Sequence, residues 1–225
     1  EILVQESIPT QVQAGNCKIV ENICTLARFL CVKLKIKLTD CRGMGIGVPG
    51  MIDSSSGEVI FAGNLGFDNF NLKNAVMQEL KIPVVIANDA NVAALGEAKF
   101  GAGKNYKDSV LITLGTGVGG GIIINGKIFA GNRSAGAEIG HMIININGNQ
   151  CTCGLKGCYE AYASASALIK LTKEKMEQNK NSVLWNVGLD KIDGATAFKY
   201  ASIDETAKQI VEEYLDYVAV GLVNV

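Results

Sequence analysis

Proline is scarce in this 225-residue chain, three residues in all, and histidine and tryptophan occur once each. So little proline excludes polyproline spacers and mucin-like or collagen-like segments. An excess of charge of one sign is missing too: 21 Lys and Arg face 22 Asp and Glu, for a net charge of −1. Balanced charge leaves no electrostatic footprint for nucleic acid or anionic lipid, so neither nucleic acid nor a membrane is expected as a partner. The longest uncharged stretch, Ser109 to Gly126, contains six glycines and a turn signal, and it reads as strands and a loop rather than a membrane span. The opening EILVQESIPTQVQ carries two acids and alternates apolar with polar residues, unlike the basic-then-apolar plan of a secretory signal, so a cytoplasmic location is expected. What is abundant is ordinary globular material: 48% hydrophobic residues and 26 glycines, enough for one large domain or two small ones.

Six of the seven cysteines fall into two groups. Cys17, Cys24 and Cys31 recur every seven residues beside the apolar stripe Ile19, Ile23, Leu26, Leu30 and Leu34. On a helix such neighbours stand roughly 10 Å apart along the axis, too far for disulfides with one another, so small buried thiols are expected. Cys41 stands alone. Cys151, Cys153 and Cys158 lie within eight residues, in CTCGLKGC, a spacing that in a reducing compartment points to a metal site.

The periodicity predicts a strand over 2–8, a helix over 16–36, strands over 43–48 and 58–61, a helix over 72–80, a strand over 84–87 and a helix over 90–100. That alternation argues an α/β layer. Strands over 110–114 and 119–124 follow, with Asn125-Gly126 as a tight-hairpin signal before 127–129. Helices are expected over 159–177 and 203–223, and GAGKNYK at 101–107 reads as a hinge between two lobes.

Four features carry chemistry, each with a plainer reading beside it. In LGTGVGGG, Leu114 to Gly121, the backbone of Gly115 and Gly117 and the hydroxyl of Thr116 suit phosphate oxygens; a glycine-rich turn without a ligand is the alternative. The same glycines spell GxGxxG, but that fingerprint must open a helix, whereas here three isoleucines run into a hairpin. Asn88-Asp89 closes the apolar run PVVIA, a position that suits either a catalytic carboxylate or a helix N-cap. His141, followed by Cys151, Cys153 and Cys158, completes a tetrahedral zinc set with no open position, although a lone histidine is more commonly a core or surface residue. Glu138 and Glu160 flank this knuckle and suit the hydroxyls of a polyol, or are simply exposed charges on a helix face.

Taken together, GIGVPG at 45–50, Gly63-Asn64-Leu65, Asn88-Asp89-Ala90-Asn91, Leu114 to Gly121, Ala135 to His141 and Cys151 to Glu160 resemble the ROK family of sugar kinases and sugar-responsive repressors, and most of all its bacterial glucokinases. The resemblance implies an α/β, two-lobed actin-like ATPase (ribonuclease H-like) fold. Residues 1–106 would form the smaller lobe, and 107–225 the larger lobe with the phosphate hairpin, zinc knuckle and C-terminal helices. It implies ATP-dependent phosphorylation of a hexose, most simply glucose to glucose 6-phosphate, with Asp89 as general base. Asn64, Asn88, Glu138, His141 and Glu160 would hold the other sugar hydroxyls, and Gly115, Thr116 and Gly117 the nucleotide phosphates. His141, Cys151, Cys153 and Cys158 would hold structural zinc, and Mg²⁺ would arrive with ATP. The alternatives are a sugar-responsive repressor or a kinase for N-acetylmannosamine or fructose. The chain starts at Glu1 rather than Met, without the DxGGT-type loop with which the family begins, and ends before its GGG-type turn; the expectation is a fold incomplete at both termini and a stretch inactive by itself. The apolar face of the last helix suits either a partner surface, as in a homodimer or higher homo-oligomer, or the edge of a cut domain.

Overall fold

A computed structural model of the chain describes residues 1–131 and 136–225. It divides into two compact units, Glu1–Asn105 with Gly126–Ala137, and Tyr106–Asn125 with Glu138–Val225. Among the described residues no helix is long and apolar enough to cross a membrane. The first four residues of the stretch NRSAGAEIGH, 132–135, lie outside the described residues.

The first unit runs α1 (Asn16–Leu34), β1 (Met44–Val48), β2 (Met51–Asp53), β3 (Glu58–Ala62), β4 (Phe67–Phe70), α2 (Leu72–Leu80), β5 (Val84–Asn88) and α3 (Asp89–Phe100). The two apolar runs expected as buried strands pair with each other: β1 and β5 are parallel, from Met44 opposite Val84 to Val48 opposite Asn88. Beside them β2, β3 and β4 form an antiparallel meander. Its outer members, three and four residues long, are not anticipated from the sequence, because so short a run carries little alternation. The core gathers Ile19 and Cys24 of α1, Val48, Val59, Phe67, Val76 and Ile86.

Residues 2–8 do not form the expected strand. Alternation reports a face that can be buried, but a strand also needs a ladder partner for its backbone. Nor are all three heptad-spaced cysteines buried: Cys24 and Cys31 are, whereas Cys17 is exposed at the start of α1.

The second unit opens with β6 (Ser109–Leu114) and β7 (Val118–Ile124), antiparallel from Ser109 opposite Ile123 to Leu114 opposite Val118. After the Asn125-Gly126 turn, where Asn125 has φ 52°, the chain continues into the short β8 (Lys127–Ile128), whose residues belong to the first unit. Beyond the cysteines come α4 (Glu160–Ala163), α5 (Ala165–Gln178), α6 (Thr196–Tyr200) and α7 (Glu205–Val223). The single helix expected over 159–177 is broken at Ser164, which is extended at φ −77°, ψ 159° and caps α5 by accepting the N–H of Ala167. One core joins α5, α6 and α7 through Leu168, Met176, Leu184, Ala197 and Ile210. A second cluster, Val118, Ile139, Tyr159 and Ala163, backs the cysteine knuckle.

Candidate active site and metal centre

The site residues divide between the two units, so each group is built separately. In the first unit, Asn88 ends β5 and Asp89 begins α3. Asn88 serves as the helix cap: its Oδ1 accepts the N–H of Asn91 at 3.1 Å, and its Nδ2 donates to the carbonyl of Gly50 at 3.1 Å. Gly50 has φ +105°, and a Cβ there would lie 3.0 Å from Ala62 Cα, so only glycine lets the chain turn against the end of β3. Ala62 in turn leads into the Gly63–Gly66 turn that exposes Asn64. Gly50 thus links Asn64's turn to the head of α3.

Asp89 is exposed, and its Oδ1 accepts the N–H of Ala90 at 2.8 Å. This fixes one carboxylate oxygen at the positive end of α3. The helix sits close to β1 because residue 47 is glycine: a Cβ there would stand 2.9 Å from Val92 and 3.5 Å from the Asp89 backbone. Asn88 is therefore the helix cap, and Asp89, beside it, is an exposed carboxylate at the start of the helix.

In the second unit, Gly115, Thr116 and Gly117 form the turn between β6 and β7. Gly115 uses its own N–H inside the turn, to the Gly117 carbonyl at 2.9 Å, so it is not an outward phosphate donor. Its carbonyl accepts the N–H of Ala165 at 2.8 Å, and the Thr116 carbonyl accepts Ser166 Oγ at 2.8 Å, tying the turn to the head of α5. Thr116 itself is exposed.

Glu160 ties this turn to the cysteines. Its Oε2 accepts the N–H of Val118 at 2.9 Å and lies where a Cβ on Gly117 would be; its Oε1 accepts Thr152 Oγ1 at 3.3 Å. It is half-buried rather than an open helix-face charge. The roles of Thr152 and Ser166 could not be read locally, since they depend on residues 8 and 50 positions away.

His141 ends a short 3-10 turn over Ile139–His141, closed by its N–H on the Glu138 carbonyl at 3.0 Å, and Glu138 is exposed beside it. The knuckle folds back so that Ile143 bridges Cys158 and Gln150 bridges Lys156. This gathers His141, Cys151, Cys153 and Cys158, whose ligand atoms all lie within 4.8 Å of one another. Cys153 and Cys158 sulfurs are 3.6 Å apart, and Cys151 Sγ is 3.7 Å from His141 Nδ1. A tetrahedral zinc site with bonds of about 2.3 Å has edges of about 3.8 Å, so the donor set fits in type and size. Burial pushes the Cys158 thiol up to about 12, with its hydrogen bonds to Cys153 and Cys151 adding to it, whereas the Leu155 N–H holds Cys153 below the usual thiol range. A buried thiol this reluctant to ionise becomes a thiolate when a cation takes the proton's place.

The knuckle is anchored from behind. Tyr159 is fully buried, its hydroxyl donates to the Val218 carbonyl at 3.0 Å, and its ring occupies the space above Gly221 of α7. Tyr214 Oη donates to the Ala163 carbonyl at 2.9 Å.

The family model described as ROK family matches residues 1–225. A glucokinase from Halalkalibacterium halodurans is 39% identical over 221 residues, 97% of this chain and 66% of the relative. A xylose repressor from Bacillus subtilis is 42% identical over 135 residues, 59% of this chain and 35% of the repressor. Among solved structures, a ROK family glucokinase from Streptomyces griseus in complex with glucose and AMPPNP matches with a TM-score of 0.78 at 36% identity, covering 92% of this chain and 66% of that one. The chain thus spans between about a third and two thirds of the length of these relatives. With the match over its whole length and with neighbours of the actin-like ATPase fold, the chain belongs to the ROK family.

Proposed function

We propose that this chain carries the sugar-binding and metal-binding parts of an ATP-dependent hexose kinase of the cytoplasm, with glucose as the sugar and glucose 6-phosphate as the product. The observation that carries the proposal is Asp89: an exposed carboxylate held by the Ala90 N–H, at the carboxyl end of a parallel strand pair, where α/β proteins gather their ligands. Its second oxygen takes the proton of the sugar 6-hydroxyl as that oxygen attacks the terminal phosphorus of MgATP. A general base of this kind needs geometry more than a perturbed acidity.

The remaining residues position the reactants. Asn64 and Asn88, linked through Gly50, receive hydroxyls on the Asp89 side. Asn88 has one amide hydrogen and one lone pair left after its two structural bonds. Glu138 and the Nε2 atom of His141 receive the others, since Nδ1 faces the thiols. Glu160 contributes its remaining lone pairs while tying the Gly115–Gly117 turn to the knuckle. Thr116 and the Gly117 N–H hold phosphate oxygens. In such a reaction positioning and charge neutralisation supply most of the acceleration. His141, Cys151, Cys153 and Cys158 would hold zinc, which supplies a closed four-ligand staple and no site for activating water.

The likeness to xylose repressors favours a second reading, in which the same residues bind a sugar without phosphorylating it. Full-length protein assayed with MgATP against glucose, fructose, N-acetylmannosamine and xylose separates them. ADP release with the highest kcat/KM on glucose supports the kinase. Sugar binding with no ADP release from any of the four overturns it in favour of the repressor.

A further inference from the structure

Cys41, solitary in the sequence, is not solitary in the fold. α1 ends at Leu34 and is capped by Lys35, whose left-handed backbone (φ 56°) turns the chain back, and a tight turn follows in which the Asp40 carboxylate accepts the Lys37 N–H at 2.9 Å and the Cys41 N–H reaches the Leu38 carbonyl at 3.1 Å. The path returns Cys41 to the last turns of α1, with its sulfur 3.9 Å from that of Cys31. Both cysteines line an apolar cavity of about 560 Å³ in the first unit, together with Leu30, Leu34, Leu38 and Met44. The metal-competent group of three or more ligands among the described residues is the His141 knuckle, and neither Cys31 nor Cys41 belongs to it.

We propose that Cys31 and Cys41 form a redox modification site, in which a hydroperoxide converts the pair into a disulfide joining the end of α1 to the loop that enters β1. The two cysteines are unequal in a way that sets the order of events. Cys41 is half-buried, whereas Cys31 is 9% exposed. Burial raises the Cys31 thiol, with the hydrogen bond to Cys41 adding to it, and shields it from solvent, so a peroxide meets the more exposed Cys41 first. The Cys41 thiolate attacks one peroxide oxygen and the O–O bond breaks; with hydrogen peroxide the departing oxygen leaves as water, and Cys41 becomes a sulfenic acid. The Cys31 sulfur then attacks the Cys41 sulfur, the S–O bond breaks, and the hydroxyl leaves as a second water with the Cys31 proton. Two thiols are oxidised by two electrons and one peroxide is reduced to two waters. Forming the bond brings the sulfurs from 3.9 Å to about 2.05 Å, beside a cavity that leaves the two side chains room to move.

The test treats zinc-loaded chain with hydrogen peroxide, alkylates the remaining thiols, digests, and maps the peptides by mass spectrometry. The expected product is a Cys31–Cys41 linked peptide, lighter by two hydrogens than its reduced parts, formed before Cys24 is modified and reversed by dithiothreitol. In Cys31→Ser the Cys41 sulfenic acid loses its resolving thiol and is trapped by dimedone. In Cys41→Ser, oxidation of Cys31 slows at least tenfold. Recovery of Cys31 and Cys41 as separate peptides at every peroxide dose overturns the proposal. So does equal pairing of Cys31 with Cys17 or a knuckle cysteine, or an unchanged Cys31 oxidation rate in Cys41→Ser. None of these readouts depends on sugar or nucleotide turnover.

Discussion

Replacing Asn88 with alanine separates what this side chain does for the fold from what it does for a ligand. The substitution removes two hydrogen bonds at once, Oδ1 to the Asn91 N–H and Nδ2 to the Gly50 carbonyl, each 3.1 Å long. Losing an N-cap costs about 1 kcal/mol, and losing the second bond costs about 1 kcal/mol more. Water reaches a half-buried site and recovers part of this, so a net loss of about 1–2 kcal/mol is expected. The local readout is hydrogen exchange at the Asn91 amide, which the cap protects; a cap worth about 1.4 kcal/mol corresponds to roughly tenfold faster exchange once it is gone. Because Asp89 is the first residue of α3, fraying its first turn also lowers kcat more than it raises the KM for sugar. Asn88→Asp refines the test: it keeps an oxygen for the cap, so Asn91 protection survives, but it sets a carboxylate oxygen against the Gly50 carbonyl and remains destabilising. Unchanged Asn91 exchange in Asn88→Ala, together with a loss confined to sugar affinity, would refute the reasoning and make Asn88 a ligand residue only.

Two further outcomes test other parts of the structure. Asp204 caps α7 by accepting the Ala207 N–H at 2.7 Å and also accepts the Val183 N–H at 2.9 Å and Ser182 Oγ at 3.0 Å. Burial alone would raise its pKa, but these donors outweigh burial and hold the carboxyl below its usual range. A depressed carboxyl stabilises fully above its unfolded value of about 3.9 and loses that contribution as the pH falls through the lower folded value. Asp204→Asn is therefore expected to cost about 1–2 kcal/mol near neutrality, with the gap to the parent closing in acid, as followed by urea unfolding on Trp185 fluorescence; a gap that persists unchanged at pH 2–3 contradicts this. At the knuckle, freshly purified protein is expected to carry one zinc per chain, and Cys153→Ser to lose both metal and sugar affinity; an elemental analysis that finds no metal contradicts the assignment.

How much of this was legible in the sequence follows from how local each feature is. The handover from β5 to α3 stands out because an apolar run ends in Asn-Asp, which is at once a strand stop and a cap. The knuckle ligands are equally plain, since the only histidine and three clustered cysteines leave few alternatives. Features that need two distant segments were not readable. The alternation of residues 2–8 reports a face but supplies no ladder partner. The break at Ser164 lets Ala165 reach Gly115, fifty residues earlier, and nothing in the local helical period announces it. Glu160 looks like a surface charge until β7 brings the Val118 N–H to it. Cys41 looks alone until the turn after α1 returns it to Cys31.

The central claim, that Asp89 takes the proton from a sugar hydroxyl, is tested most directly by Asp89→Asn in the full-length protein. Asparagine preserves size and can still accept the Ala90 N–H, but it is not a base. The account predicts that turnover of glucose with MgATP falls by about 10² to 10⁴-fold, while glucose affinity by calorimetry changes only a few-fold. An Asp89→Asn protein that keeps most of its kcat would contradict it.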